Sequence, residues 1–131
     1  MTLSLLAVDD DPSSAELEVR VAERCGFEAF ATSDSRGVVE LIRQLEPDIF
    51  AVDICMPNFD ALDLFKMLAE DKYRGNIIIV SGQDQSTLYS AAKFAAELGL
   101  NTPKTMQKPL NFQDLRAWLH SLNAEKNAAA A

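Results

Sequence analysis

Ile49-Phe50-Ala51-Val52-Asp53-Ile54-Cys55-Met56-Pro57 is an apolar run that stops at a carboxylate and then breaks at a proline. An apolar segment this short, bounded by turn signals, predicts a strand covered on both faces, from Asp48 to Asp53. The same pattern occurs twice more: Leu5-Leu6-Ala7-Val8 ends at Asp9-Asp10-Asp11, and Ile77-Ile78-Ile79-Val80 ends at Ser81. A fourth, shorter segment ends at Lys108-Pro109. If these runs are neighbouring parallel strands, their ends gather carboxylates, a hydroxyl and an ammonium at one edge of a sheet, with Asp53 at the centre.

The segments between the runs have helical period. The first strand covers Leu3 to Val8, and Pro12 opens a helix that Gly26 ends, with Leu17, Val21, Ala22 and Cys25 as its apolar stripe. A weaker strand, Phe27 to Ala31, precedes a helix carrying Val38, Leu41, Ile42 and Leu45, which Pro47 ends. Met56-Pro57-Asn58 forms a turn, and Leu62, Phe65 and Ala69 mark one side of the next helix, closed by Gly75. Asn76 to Ser81 is the fourth strand, and Ser86 to Leu98 is an alanine-rich helix ending at Gly99. A fifth strand lies near Lys104 to Gln107, and Asn111 caps a last helix with Leu115, Trp118, Leu119 and Leu122 inward. The fold class is α/β: a doubly wound (βα)5 unit, its parallel five-stranded sheet between helical layers. Ligands of such sheets sit beyond the carboxyl ends of the strands.

Bulk properties bound the function. The 131 residues, 48% of them apolar, fit one domain, placed at residues 1–123, with 124–131 as a disordered tail or expression remnant. Twelve basic against 20 acidic residues give a charge of −8, which argues against direct nucleic-acid binding. No apolar run approaches the ~20 residues of a membrane span, and no basic signal region opens the chain, so a cytoplasmic location is expected. Cys25 and Cys55, the only cysteines, stand in no metal-binding spacing and read as reduced thiols.

Carboxylates gathered at Asp9, Asp10 and Asp53 repel one another, and a divalent cation removes that cost. Oxygen-only ligands select a hard ion such as Mg²⁺. Asp11 reads instead as a helix cap. An aspartate at the rim of a core can accept a phosphoryl group as an acyl phosphate. The loose transition state of that transfer needs mainly placement and countercharge, for which Mg²⁺, Lys108 and the Ser81 hydroxyl are the candidates.

The ordered set Asp9-Asp10, Asp53 with Met56-Pro57, Ser81-Gly82 and Lys108-Pro109 resembles the receiver domain of bacterial two-component response regulators. The resemblance covers about Leu3 to Leu122. It implies a flavodoxin-like strand order 2-1-3-4-5 and a phosphorylatable signalling switch. Asp53 would take a phosphoryl group from a phosphohistidine of a histidine kinase or histidine phosphotransfer protein. Mg²⁺ would be held by Asp10, Asp53 and the Cys55 backbone carbonyl, with Asp9 acting through water. Lys108 would pair with the phosphoryl oxygens, Ser81 would swing inward to meet them, and the bond to Pro109 would be cis. Cys55 and Gln83 occupy positions that tune attack of water on the phosphoryl group, and an unknown downstream protein or output domain would read the state. Kinase docking near the first helix is a further implication, although Glu16, Glu18 and Glu23 read most simply as its solvated face.

Some positions depart from the pattern. Thr105 stands where an aromatic rotamer switch is common, Ala61 where glycine is common, and the eight residues between Gly99 and Lys108 imply an extra turn at Asn101-Thr102-Pro103. His120 reads as a surface residue and Trp118 as core. Two alternatives stay open: a haloacid-dehalogenase-type phosphatase with Asp9 as nucleophile, suggested by the Asp-x-Asp pair, and a receiver-like interaction module that no longer switches.

Overall fold

The computed structural model describes residues 2–57 and 59–130, with side-chain burial described through residue 125. Five strands alternate with five helices: β1 Ser4–Val8, α1 Pro12–Arg24, β2 Glu28–Thr32, α2 Val38–Leu45, β3 Ile49–Asp53, α3 Ala61–Glu70, β4 Asn76–Ser81, α4 Gln85–Glu97, β5 Asn101–Gln107 and α5 Phe112–Ala130. All strand pairs are parallel, in the order β2-β1-β3-β4-β5. Because side chains alternate across each strand, the runs supply two cores. Leu6, Val8, Phe50, Val52, Ile77 and Ile79 face α2, α3 and α4, whereas Leu5, Ala7, Ile49, Ala51, Ile78 and Val80 face α1 and α5.

The helix boundaries follow local chemistry. Asp11, Asp60 and Asp84 cap α1, α3 and α4 through backbone N–H groups of Ser13, Asp63 and Thr87. Asn111 does the same for α5, its side-chain oxygen accepting from Asp114 N at 3.0 Å. Gly26 and Gly99 end α1 and α4 with φ of +87° and +86°, the left-handed stop that glycine allows most readily. Ala61 opens α3 in ordinary helical geometry, so no glycine is needed there.

Several expectations are corrected. The buried face of α1 is Ala15, Glu18 and Ala22, while Leu17 is 43% exposed. On α3 the buried residues are Leu64, Phe65 and Leu68, and Leu62 faces outward. In both helices the side facing the sheet is displaced from the stripe that polarity alone suggests. Asn101-Thr102-Pro103 forms no separate turn. It is the start of β5, where an edge strand tolerates Pro103 and a register irregularity between Asn76 and Ile78 absorbs the extra length. Helix α5 continues to Ala130, beyond the tail boundary expected at residue 123, in keeping with the high helix propensity of alanine. Asn58 of the expected turn lies outside the described residues. Trp118 is half-buried against the α1/α5 core, and His120 is exposed. Among the described residues no helix is long and apolar enough to cross a membrane.

Candidate functional site

The parallel register brings the predicted residues to one edge. Asp53 is the last residue of β3 and lies level with Val80, Ser81 ends β4, and Asp9-Asp10 follow β1 directly. Lys108 follows β5, and its backbone N–H donates to the Ser81 carbonyl at 2.8 Å. The Lys108–Pro109 peptide bond is cis.

The Lys108 ammonium donates to Asp9 Oδ1 at 3.0 Å and to Asp53 Oδ2 at 2.8 Å. These two carboxylates are only 1% and 4% exposed, whereas Asp10 is exposed. Asp9 Oδ1 also accepts from Asp11 N, and Asp53 Oδ1 accepts from Cys55 N, both at 2.9 Å. Burial raises the pKa of Asp9, against the bonds from Asp11 and Lys108, and repulsion from Asp53 adds to the rise. Burial works against the Lys108 ammonium, but its bonds to Asp53 and Asp9 prevail and its pKa is raised. Asp9 is thus the aspartate enclosed beside Lys108, and Asp10 the one open to solvent.

Asp9, Asp10 and Asp53 each place a carboxylate oxygen within 4.8 Å of the others. The Lys108 ammonium bonds two of these three acids, and Asp9 Oδ2 is buried with no hydrogen-bond partner. An orphaned carboxylate oxygen in an all-oxygen cluster calls for a further donor or a hard cation. The residues therefore fit a Mg²⁺ ion.

On the other flank, the fully buried Ser81 places its Oγ 2.9 Å from the Cys55 thiol and accepts from Gln83 N at 3.0 Å. The Gln83 carbonyl accepts from Gln107 Nε2 at 2.9 Å, which ties the loop after β4 to the end of β5. Thr105 lies on β5 with an exposed side chain. Asp11 caps α1 as expected, donating nothing to the acidic group beyond its backbone N–H.

Sequence reasoning missed two participants. Gln107 carried no signal beyond its place before Lys108. Glu18, assigned to a solvated face together with Glu16 and Glu23, is 3% exposed with Oε2 unpartnered, while the other two are exposed. Burial, reinforced by repulsion from Asp9, pushes the Glu18 pKa up to about 8. A helical spacing that placed Glu18 with Ala15 and Ala22 was the available signal.

Residues 5–120 match the family model described as the response regulator receiver domain. The chain is 24% identical over 132 residues to the alkaline phosphatase synthesis transcriptional regulatory protein PhoP of Bacillus subtilis, covering 99% of this chain and 52% of that protein. It is 32% identical over 71 residues to the DNA-binding response regulator MtrA of Mycolicibacterium smegmatis, covering 54% of this chain and 31% of that one. The chain thus spans about half or less of the length of these relatives. Among solved structures, a response regulator from Colwellia psychrerythraea superposes with a TM-score of 0.82 at 30% identity, covering 95% of this chain and 99% of that chain. The Francisella response regulator 1452 receiver domain, at 21% identity and a TM-score of 0.78 over 95% and 99% of the two chains, shares the fold.

Proposed function

The chain belongs to the response regulator receiver domain family, and on that premise we propose that Asp53 is the phosphoacceptor of a signalling switch in a cytoplasmic phosphorelay. The observation that carries this reading is the position of Asp53: a buried carboxylate ending a core strand, held by Lys108 and the Cys55 N–H, within the acidic cluster. The donor would be a phosphohistidine of a histidine kinase or histidine phosphotransfer protein. An Asp53 oxygen attacks phosphorus, the P–N bond breaks, and the leaving imidazole nitrogen keeps the electron pair and takes a proton.

The chain's own groups have definable tasks. The Cys55 N–H fixes one Asp53 oxygen, and the Lys108 ammonium, now shared by Asp9 and Asp53, is in reach of a phosphoryl group added at Asp53. Asp10, Asp53 and the Cys55 carbonyl would hold Mg²⁺, with Asp9 through water. The ion would supply countercharge to the phosphoryl oxygens. Ser81 turns its hydroxyl from its present partners to a phosphoryl oxygen, and that new contact, absent before transfer, shifts the balance between two states. Cys55 and Gln83, both bonded to Ser81, would limit the approach of the water that reverses the modification. The route outward passes from Ser81 through Gln83 to Gln107 on β5, in place of an aromatic at Thr105. A partner protein or output domain outside this chain would read the change.

Family membership displaces the dehalogenase-type reading with Asp9 as nucleophile. Incubation with Mg²⁺ and acetyl phosphate, read by intact mass, tests the proposal. One added phosphoryl group on the wild type, absent in Asp53→Asn, is the expected result. A wild type that gains none would favour an interaction module that does not switch.

A further inference from the structure

Ser81 Oγ has one proton and two lone pairs to satisfy inside a site where it is fully buried. One lone pair accepts from Gln83 N, and the remaining side-chain neighbour is the Cys55 thiol at 2.9 Å. Neither Lys108 nor Asp53 is a hydrogen-bond partner of this hydroxyl. Residue 55 meanwhile touches the acceptor through its backbone, donating N–H to Asp53 Oδ1. It therefore contacts both the acceptor and the hydroxyl that would report its modification. The second thiol, Cys25, plays no such part: it is buried 3.6 Å from the Arg116 carbonyl, under α5.

We propose that Cys55 is a positioning residue: its thiol holds the Ser81 hydroxyl in the resting orientation and so sets how readily Ser81 turns to a phosphoryl group on Asp53. This rests on the phosphoacceptor reading above. For Ser81 to bond a phosphoryl oxygen it must give up or share its contact with sulfur. A thiol is a weak donor and a weak acceptor, so the hydroxyl is satisfied at rest yet released at little cost. A hydroxyl at position 55 would hold Ser81 more firmly, and a methyl would not hold it at all.

The test is a double-mutant cycle on the affinity for beryllofluoride, a phosphoryl mimic, measured by calorimetry at saturating Mg²⁺. Wild type, Cys55→Ala, Cys55→Ser, Ser81→Ala and the Cys55→Ala/Ser81→Ala pair are compared, each first shown to unfold cooperatively. Cys55→Ala should tighten binding roughly two- to fivefold, the ratio expected for loss of one weak hydrogen bond from the resting state. Cys55→Ser should weaken binding by a similar factor, and the alanine effect should vanish in the Ser81→Ala background. An alanine effect equal in both backgrounds, or no effect in either, overturns the proposal while leaving Asp53 as acceptor. A wild type that binds no beryllofluoride overturns both.

Discussion

Replacing Glu18 should make the protein more stable, and increasingly so as pH rises. Glu18 lies on the buried face of α1 with Oε2 unpartnered, and the charges acting on it are those of Asp9, Lys108 and Asp53. Burial is the largest cause of its raised pKa, from 4.5 to about 8, so the native state keeps a proton that the unfolded chain releases. Between these values the unfolded state binds fewer protons, and stability falls by about 1.4 kcal/mol per pH unit from this group alone. The loss begins near pH 4.5, reaches roughly 3 kcal/mol at pH 7, and levels off above about pH 8 at roughly 5 kcal/mol. Glu18→Leu removes both the titration and the unpaired polar group, and Glu18→Gln removes the titration alone. Urea unfolding at pH 5, 6, 7 and 8 in EDTA-containing buffer should show each variant gaining on the wild type by about 1.3 kcal/mol per unit between pH 5 and 7. Stability profiles of wild type and variants that run parallel across this range would mean that Glu18 ionises equally in both states and is not held protonated by burial.

Other substitutions test the surroundings of the site and the helix ends. Lys108→Met leaves the Asp9 and Asp53 carboxylates without their shared ammonium, and urea unfolding at pH 7 should show a loss of about 3 kcal/mol. That loss should shrink at pH 4, where a raised Asp9 pKa lets one acid become neutral in the native state. Lys72, just after α3, has a φ of 57°, and Lys72→Gly should raise stability by about 0.5 kcal/mol once the greater freedom of unfolded glycine is subtracted, a shift visible in chemical unfolding. Gly75→Ala should lower stability by about 2 kcal/mol or more. Its Cβ would strike the Tyr73 side chain and approach the Pro47 carbonyl to 2.7 Å, disturbing the Tyr73 hydroxyl bond to that carbonyl.

The sheet was legible because its strands are buried on both faces and each ends at a polar residue, as in Ile49 to Asp53. The stops at Gly26 and Gly99 and the caps at Asp11 and Asn111 were legible for local reasons, since each satisfies the backbone groups of one helix end. The faces of α1 and α3 were less so. Polarity favoured Leu17 and Leu62, yet small Ala15 and Ala22 face inward on α1 and carry Glu18 with them. Pro103 suggested a turn because proline lacks an N–H, but at a sheet edge that donor can be dispensed with. Within the site, strand-end positions predicted the meeting of Asp9, Asp53, Ser81 and Lys108. The contact between Cys55 and Ser81 spans 26 positions and depends on where a loop turns, which no local pattern encodes.

Asp53 itself is the proposed receiver of the phosphoryl group. After treatment with Mg²⁺ and acetyl phosphate, borohydride reduces an aspartyl phosphate to homoserine, which tandem mass spectrometry places in the sequence. Homoserine at position 53 alone is the expected result. Homoserine at position 9 or 10, or a phosphorylated protein with none at position 53, would contradict it.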